Sequence, residues 1–200
     1  MTPEKAMAML KFGIEERFWA TTTHNGQPAI VIKNCHDASN RGNATKILCQ
    51  GIGHVLTNIK NYCDTDWDFA TTKEFALACN NFEACYEGSD LIVWSRCEKK
   101  HVESTPSDHD KGDTFKLLAA AADNVATRSY CILYSLGKNM IAFDSEKNFF
   151  YAIGLCVMQF ETYAHQINTS QTLEEFAVSV NRLHLNWNVK DSQVYYFFNE

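Results

Sequence analysis

The chain closes on Asp191-Ser192-Gln193-Val194-Tyr195-Tyr196-Phe197-Phe198-Asn199-Glu200, and the reading of this stretch decides where the core lies. In an extended strand alternate side chains point to opposite faces, so Val194, Tyr196 and Phe198 share one side and Tyr195 and Phe197 the other. Both sides are apolar. A terminal segment is ordered only when something ties it down. It is therefore expected either as an inner strand covered on both faces or as a surface that a second subunit buries.

The rest of the chain has to supply that cover. Its 200 residues suit one domain able to fold without staples, and 46% hydrophobic with 21% charged residues is a globular rather than a disordered balance. A net charge of -6 opposes adhesion to a nucleic-acid backbone, and no long Lys/Arg run offsets it, so no nucleic-acid partner is expected. The start, MTPEKAMAMLKF, does not read as a signal peptide because no continuous apolar core follows a cationic head. The longest apolar run, FFYAIGLCVMQF, meets polar residues too soon to span a bilayer. These features lead to the expectation of a cytoplasmic protein with no membrane contact, whose cysteines stay reduced. Cys49, Cys79, Cys131 and Cys156 sit inside apolar patterns, where a free thiol acts as a small hydrophobe. No C-x-x-C pair occurs, and neither a metal nor a cofactor is expected.

Thr2-Pro3-Glu4 has the order of an N-cap, a first-turn proline and an acidic residue, which predicts a helix to about Phe18 with Met7, Leu10, Ile14 and Phe18 as its buried stripe. FWATTTHNGQPAIVIKN then alternates around Asn25-Gly26, the signature of a hairpin. A second helix follows from Leu48, Ile52, Val55, Ile59 and Tyr62, with Gly51 and Gly53 expected to admit a neighbouring backbone. A third helix is predicted after Thr71 or Thr72, burying Phe75, Ala78, Phe82 and Cys85, before a strand DLIVWSRC. Residues 98–113, with Pro106 and Gly112, read as an exposed loop. A helix TFKLLAAAADNVA, which Asp113 is placed to cap, and a hairpin RSYCILYSLGKNMIAFD come next.

Residues 148–167 fit both periods. Their density of aromatic and branched side chains favours a strand, with a helix as the alternative. Thr172, Glu174 and Glu175 open a last helix that buries Phe176, Val180 and Leu183. Helices and hairpins alternate without a regular strand-helix rhythm, so the fold class is α+β: a single domain over residues 1–200, with helices packed on an antiparallel or mixed sheet. No internal repeat is evident.

Among the candidate functional segments, Asn34–Lys46 runs from an apolar strand into a helix, where backbone N–H groups and the positive helix end attract anions. His36, Asp37, Arg41, Asn43, Thr45 and Lys46 are the candidate ligand-binding residues, for an anionic, nucleotide-like small molecule. The competing expectation is a helix cap, since the spacing of a P-loop is missing. Cys35 beside His36 invites a nucleophile reading, with His54 or His165 as its base. Adjacent side chains diverge, so no catalytic residue is assigned. Asp108, His109, Asp110 and Asp113 lack the glycine position and closing glutamate of a calcium loop. The expectation is a binding or regulatory protein, a homo-oligomer, that sequesters such a ligand or blocks a protein partner. A small cysteine- or histidine-dependent hydrolase is the alternative.

Overall fold

A computed structural model describes residues 1–33, 42–63, 67–95, 111–124, 130–135, 138–188 and 193–198. Helix α1 (Pro3–Gly13) starts as expected: the Thr2 hydroxyl accepts from the Lys5 N–H at 3.2 Å, and Ala6, Met7, Met9 and Leu10 form its buried face. The helix stops at Gly13, and Phe18 falls in a separate 3-10 turn (Glu16–Phe18). Strands β1 (Trp19–His24) and β2 (Gln27–Ile32) pair antiparallel across Asn25 and Gly26, whose φ angles of 49° and 77° are those a tight hairpin turn requires. Helices α2 (Gly42–Tyr62) and α3 (Phe69–Asn80) lead to a second hairpin, β3 (Phe82–Glu87) and β4 (Asp90–Ser95). Together the four strands make an antiparallel sheet in the order β1-β2-β4-β3.

The second half repeats the first. Helix α4 (Lys111–Asp123), strands β5 (Tyr130–Ser135) and β6 (Lys138–Phe143), helices α5 (Glu146–Met158), α6 (Phe160–Ile167) and α7 (Leu173–Asn181), and strands β7 (Leu183–Asn188) and β8 (Gln193–Phe198) follow in turn. The second sheet runs β5-β6-β8-β7, also antiparallel. The α+β class therefore holds. Strand β8 is an inner strand, and its Val194 and Tyr196 are 1% and 4% exposed within one chain. No second subunit is needed to cover that face.

The correspondence between halves reaches single atoms. Asn80, the last residue of α3, donates from Nδ2 to the Val157 carbonyl at 2.8 Å, and Asn181, the last of α7, donates to the Leu56 carbonyl at 3.0 Å. Both the donors (80 and 181) and the acceptors (56 and 157) stand 101 positions apart. At the same spacing, α2 leaves helical geometry at Asn58 (φ -119°, ψ 18°) where the α5–α6 break has Gln159 (φ -125°, ψ 33°). Helices α2 and α5 pack against each other, as do α3 and α7, so equivalent elements meet about a pseudo-two-fold axis. Where α2 crosses α5, a Cβ on Gly53 would strike the Phe150 carbonyl and one on Gly154 the Cys49 carbonyl, again at matching positions. Only a residue without a side chain lets the two backbones approach this closely. The reading that the chain holds no repeat is thus corrected. Few identities survive between the halves, while buried positions keep their character rather than their residue.

Three further expectations change. Residues 148–167 are helical, in α5 and α6, not a strand: Ser145 caps α5 by accepting from the Asn148 N–H, and α5 is buried so broadly that its pattern does not separate the helical from the strand period, whereas α6 buries Phe160, Tyr163 and Ala164 and exposes Glu161, Thr162 and His165. Helix α3 begins at Phe69, two residues before Thr71, because the Asp68 carboxylate takes the Thr71 N–H at 2.8 Å and the Thr71 hydroxyl at 3.0 Å; Phe82 and Cys85 belong to β3. Of the loop expected over 98–113, residues 98–110 lie outside the described ones. Residues 111–113 already form the first turn of α4, so Asp113 is inside the helix rather than its cap. Its carboxylate accepts from Lys116 and from the Thr169 hydroxyl at 2.6 Å, which holds it below the usual carboxylate range.

Candidate functional site

One face of α2 carries Asn43, Ile47, Gln50 and His54, spaced so that all four fall on a common stripe. The stripe forms one wall of a 380 Å³ cavity, a volume within the range of small-molecule sites. The end of α1 and the turn after it supply Gly13, Ile14, Glu15 and Phe18, and the first turn of α5 supplies Glu146, Lys147 and Phe150. The pseudo-two-fold contact of α2 with α5 thus brings the two halves together at the cavity.

His54 is its central polar group. The Tyr62 hydroxyl, two helical turns on, lies 3.2 Å from Nδ1, and the Phe150 ring meets the imidazole edge to face with centroids 5.1 Å apart. Burial pushes the His54 pKa below its ordinary 6.5, partly opposed by the negative charge of Glu146, so the ring is neutral at neutral pH. A neutral imidazole offers one donor and one acceptor. Behind it, Thr57 and Asn58 direct their side chains to the His54 carbonyl at 3.1 and 3.0 Å, at the point where α2 bends. Glu146 also acts on Tyr196, whose hydroxyl is buried without a hydrogen-bond partner among the described residues and whose pKa is raised, first by burial and then by that carboxylate. The cavity therefore joins amide, imidazole, carboxylate and ammonium groups to walls formed by Ile14, Phe18, Ile47 and Phe150.

Of the residues singled out in the sequence, His36, Asp37 and Arg41 lie outside the described residues. Asn43, Thr45 and Lys46 are all in the first turns of α2, but consecutive helical positions point in different directions and the three separate. Asn43 lines the cavity. Thr45 shares a 2.7 Å hydrogen bond with the Tyr86 hydroxyl on β3, and Lys46 places its ammonium 5.7 Å above the Tyr151 ring on α5. Gln50, Glu146, Lys147 and Phe150 were not foreseen. Asn43, Gln50 and His54 recur at helical spacing on one side of α2, which was a readable signal for Gln50, whereas the α5 residues were hidden by the strand reading.

For the hydrolase alternative, Cys35 is outside the described residues, His54 is half-buried on the cavity and His165 is exposed on α6. Burial pushes the Cys49 thiol up to about 12 and raises Cys156 as well, which keeps both protonated and unreactive. Among the described residues no group of three or more metal-ligating side chains occurs, and no helix is long and apolar enough to cross a membrane. Comparison with protein-family models, with curated proteins and with solved structures finds no match to this chain.

Proposed function

We propose that this chain is a binding protein that sequesters a nucleotide-like small molecule in the cavity between α1, α2 and α5. The observation that carries the reading is the composition of that cavity: hydrogen-bonding edges from Asn43, Gln50 and His54, aromatic walls from Phe18 and Phe150, and a cation, Lys147, in the first turn of α5. Flat heterocycles are held in such sites by apolar walls, with a few polar groups fixing their orientation. The positive end of the α5 dipole adds to Lys147 for an anionic group. Glu15 and Glu146 share the lining, so the local field suits a single phosphate better than a polyphosphate.

Titration calorimetry with nucleosides, nucleoside monophosphates and nucleoside triphosphates tests this. Monophosphates should bind tightest, and Lys147→Ala should weaken them toward the level of the nucleosides. Absence of binding by all three classes, or a preference for triphosphates, overturns it.

Self-association or obstruction of a protein partner belongs to the same proposal, and the outer face of the first sheet supports it. On β2 and β4, Ile30, Ile32, Leu91 and Val93 face the helices and join the core. The intervening positions line up in register as Ala20, Val31, Ile92 and Cys85, an apolar row on the opposite face in which Ala20, Val31 and Cys85 are partly exposed and Ile92 is already buried within one chain. Such a row is suited to a second copy of the chain. Sedimentation should give a mass above that of one chain, reduced by Val31→Glu; a monomer at all concentrations removes this part.

A further inference from the structure

The duplication places the α2–α5 wall of the cavity twice in the molecule, and resting on the proposed binding role, the second instance indicates what the first one takes. At 101 positions along, Gln50 corresponds to Tyr151, His54 to Leu155, and the cavity-lining Lys147 and Phe150 correspond back to Lys46 and Cys49. The lysine is kept on both sides of the pseudo-two-fold axis. What lies near it differs. In the second copy a ring of the protein's own, Tyr151, sits 5.7 Å from the Lys46 ammonium, while Leu155 and Cys49 are 8% and 0% exposed. Burial raises the Tyr151 pKa, so this phenol stays neutral and meets the lysine as an aromatic ring rather than as an anion. In the first copy the matching side chains, Gln50 and His54, are shorter or polar and line open space.

We infer that Tyr151 is an internal stand-in for the ligand: the first cavity accepts an aromatic ring against Lys147, and Gln50 and His54 are the residues that keep it open and determine what enters. The ring is neutral, in line with its counterpart, and its edge meets the amide of Gln50 and the imidazole of His54.

Indole, a neutral aromatic without a phosphate, is the probe, followed by saturation-transfer NMR. Adenosine monophosphate is titrated in parallel into the same samples. Wild-type protein should take up indole. Gln50→Tyr, which copies the second half, should weaken uptake by about tenfold or more while leaving the circular dichroism spectrum and unfolding midpoint unchanged or improved. His54→Leu, the other half-to-half exchange, should act in the same direction and serves if the first variant fails to fold. Indole uptake that persists in both variants, or that wild-type protein lacks, overturns the inference. If indole binds and the variants exclude it while adenosine monophosphate binds none of the samples, the ring inference stands and the nucleotide proposal falls. If adenosine monophosphate binds wild type while indole uptake is lacking in wild type or persists in both variants, the proposal stands and the inference falls.

Discussion

Gly53 and Gly154 set the distance between the halves. A methyl group at Gly53 would lie 2.7 Å from the Phe150 Cα, and one at Gly154 2.6 Å from the Cys49 Cα, with backbone rather than a flexible side chain in the way. Gly53→Ala or Gly154→Ala should each cost about 1–3 kcal/mol by urea unfolding, through forced separation of α2 from α5. A loss below the error of the measurement would show that the helices can separate freely. The pH response belongs to His54. Its folded pKa is below 6.5, so the unfolded chain takes up the proton first on acidification. The stability linked to this group is complete above the unfolded value and is lost as pH falls through the folded one. Unfolding midpoints measured between neutral and mildly acidic pH should fall more steeply for wild type than for His54→Leu. Equal slopes would assign the loss to other groups.

At the scale of elements, the two halves solve the same problem with different caps. Thr172 and Glu175 form a complete capping box on α7, the Thr172 hydroxyl taking the Glu175 N–H at 3.3 Å and the Glu175 carboxylate the Thr172 N–H at 2.8 Å. Thr71 and Glu74 occupy the equivalent positions, yet α3 has an additional turn because Asp68 offers a cap upstream. Thr172→Ala should therefore destabilise the protein by about 1 kcal/mol, whereas in the first half the corresponding loss should come from Asp68→Ala. Thermal unfolding of both variants and of Thr71→Ala checks the assignment; a Thr71→Ala loss larger than that of Asp68→Ala would reverse it. The far ends of α3 and α7 are tied to α5 and α2 through Asn80 and Asn181. Asn181 is the more deeply buried, so its replacement by alanine should cost more, about 1–2 kcal/mol.

For the whole molecule, the decisive feature is that one apolar cluster runs from Met7 and Leu10 through α2, α3, α5 and α7 to Val194 and Tyr196. Neither half has a core of its own, because the equivalent helices bury their faces on each other rather than on their own sheets alone. Unfolding should accordingly be a single cooperative transition, with calorimetry and far-ultraviolet circular dichroism reporting the same midpoint. Two resolved transitions would mean that the halves hold together independently.

The sequence by itself determined the local structure. Thr2-Pro3, Asn25-Gly26 and Thr172 with Glu175 act through groups a few residues apart, and the helix starts, the turn and the α+β class follow from such short-range chemistry. The inner place of β8 in its sheet, with Val194 and Tyr196 covered within one chain, is one of the two outcomes its alternating apolar rings allow, the other being burial by a second subunit. Even the duplication left a trace in Thr71-x-x-Glu74-Phe75-Ala76 and Thr172-x-x-Glu175-Phe176-Ala177. Only the tertiary structure decided the helical state of residues 148–167, the pairing of α2 with α5 and the cavity between them. Within that segment α5 is buried on most sides and has no broad exposed stripe to mark its period, and a wall built from positions 13–18, 43–54 and 146–150 exists only once two distant helices cross at their glycines.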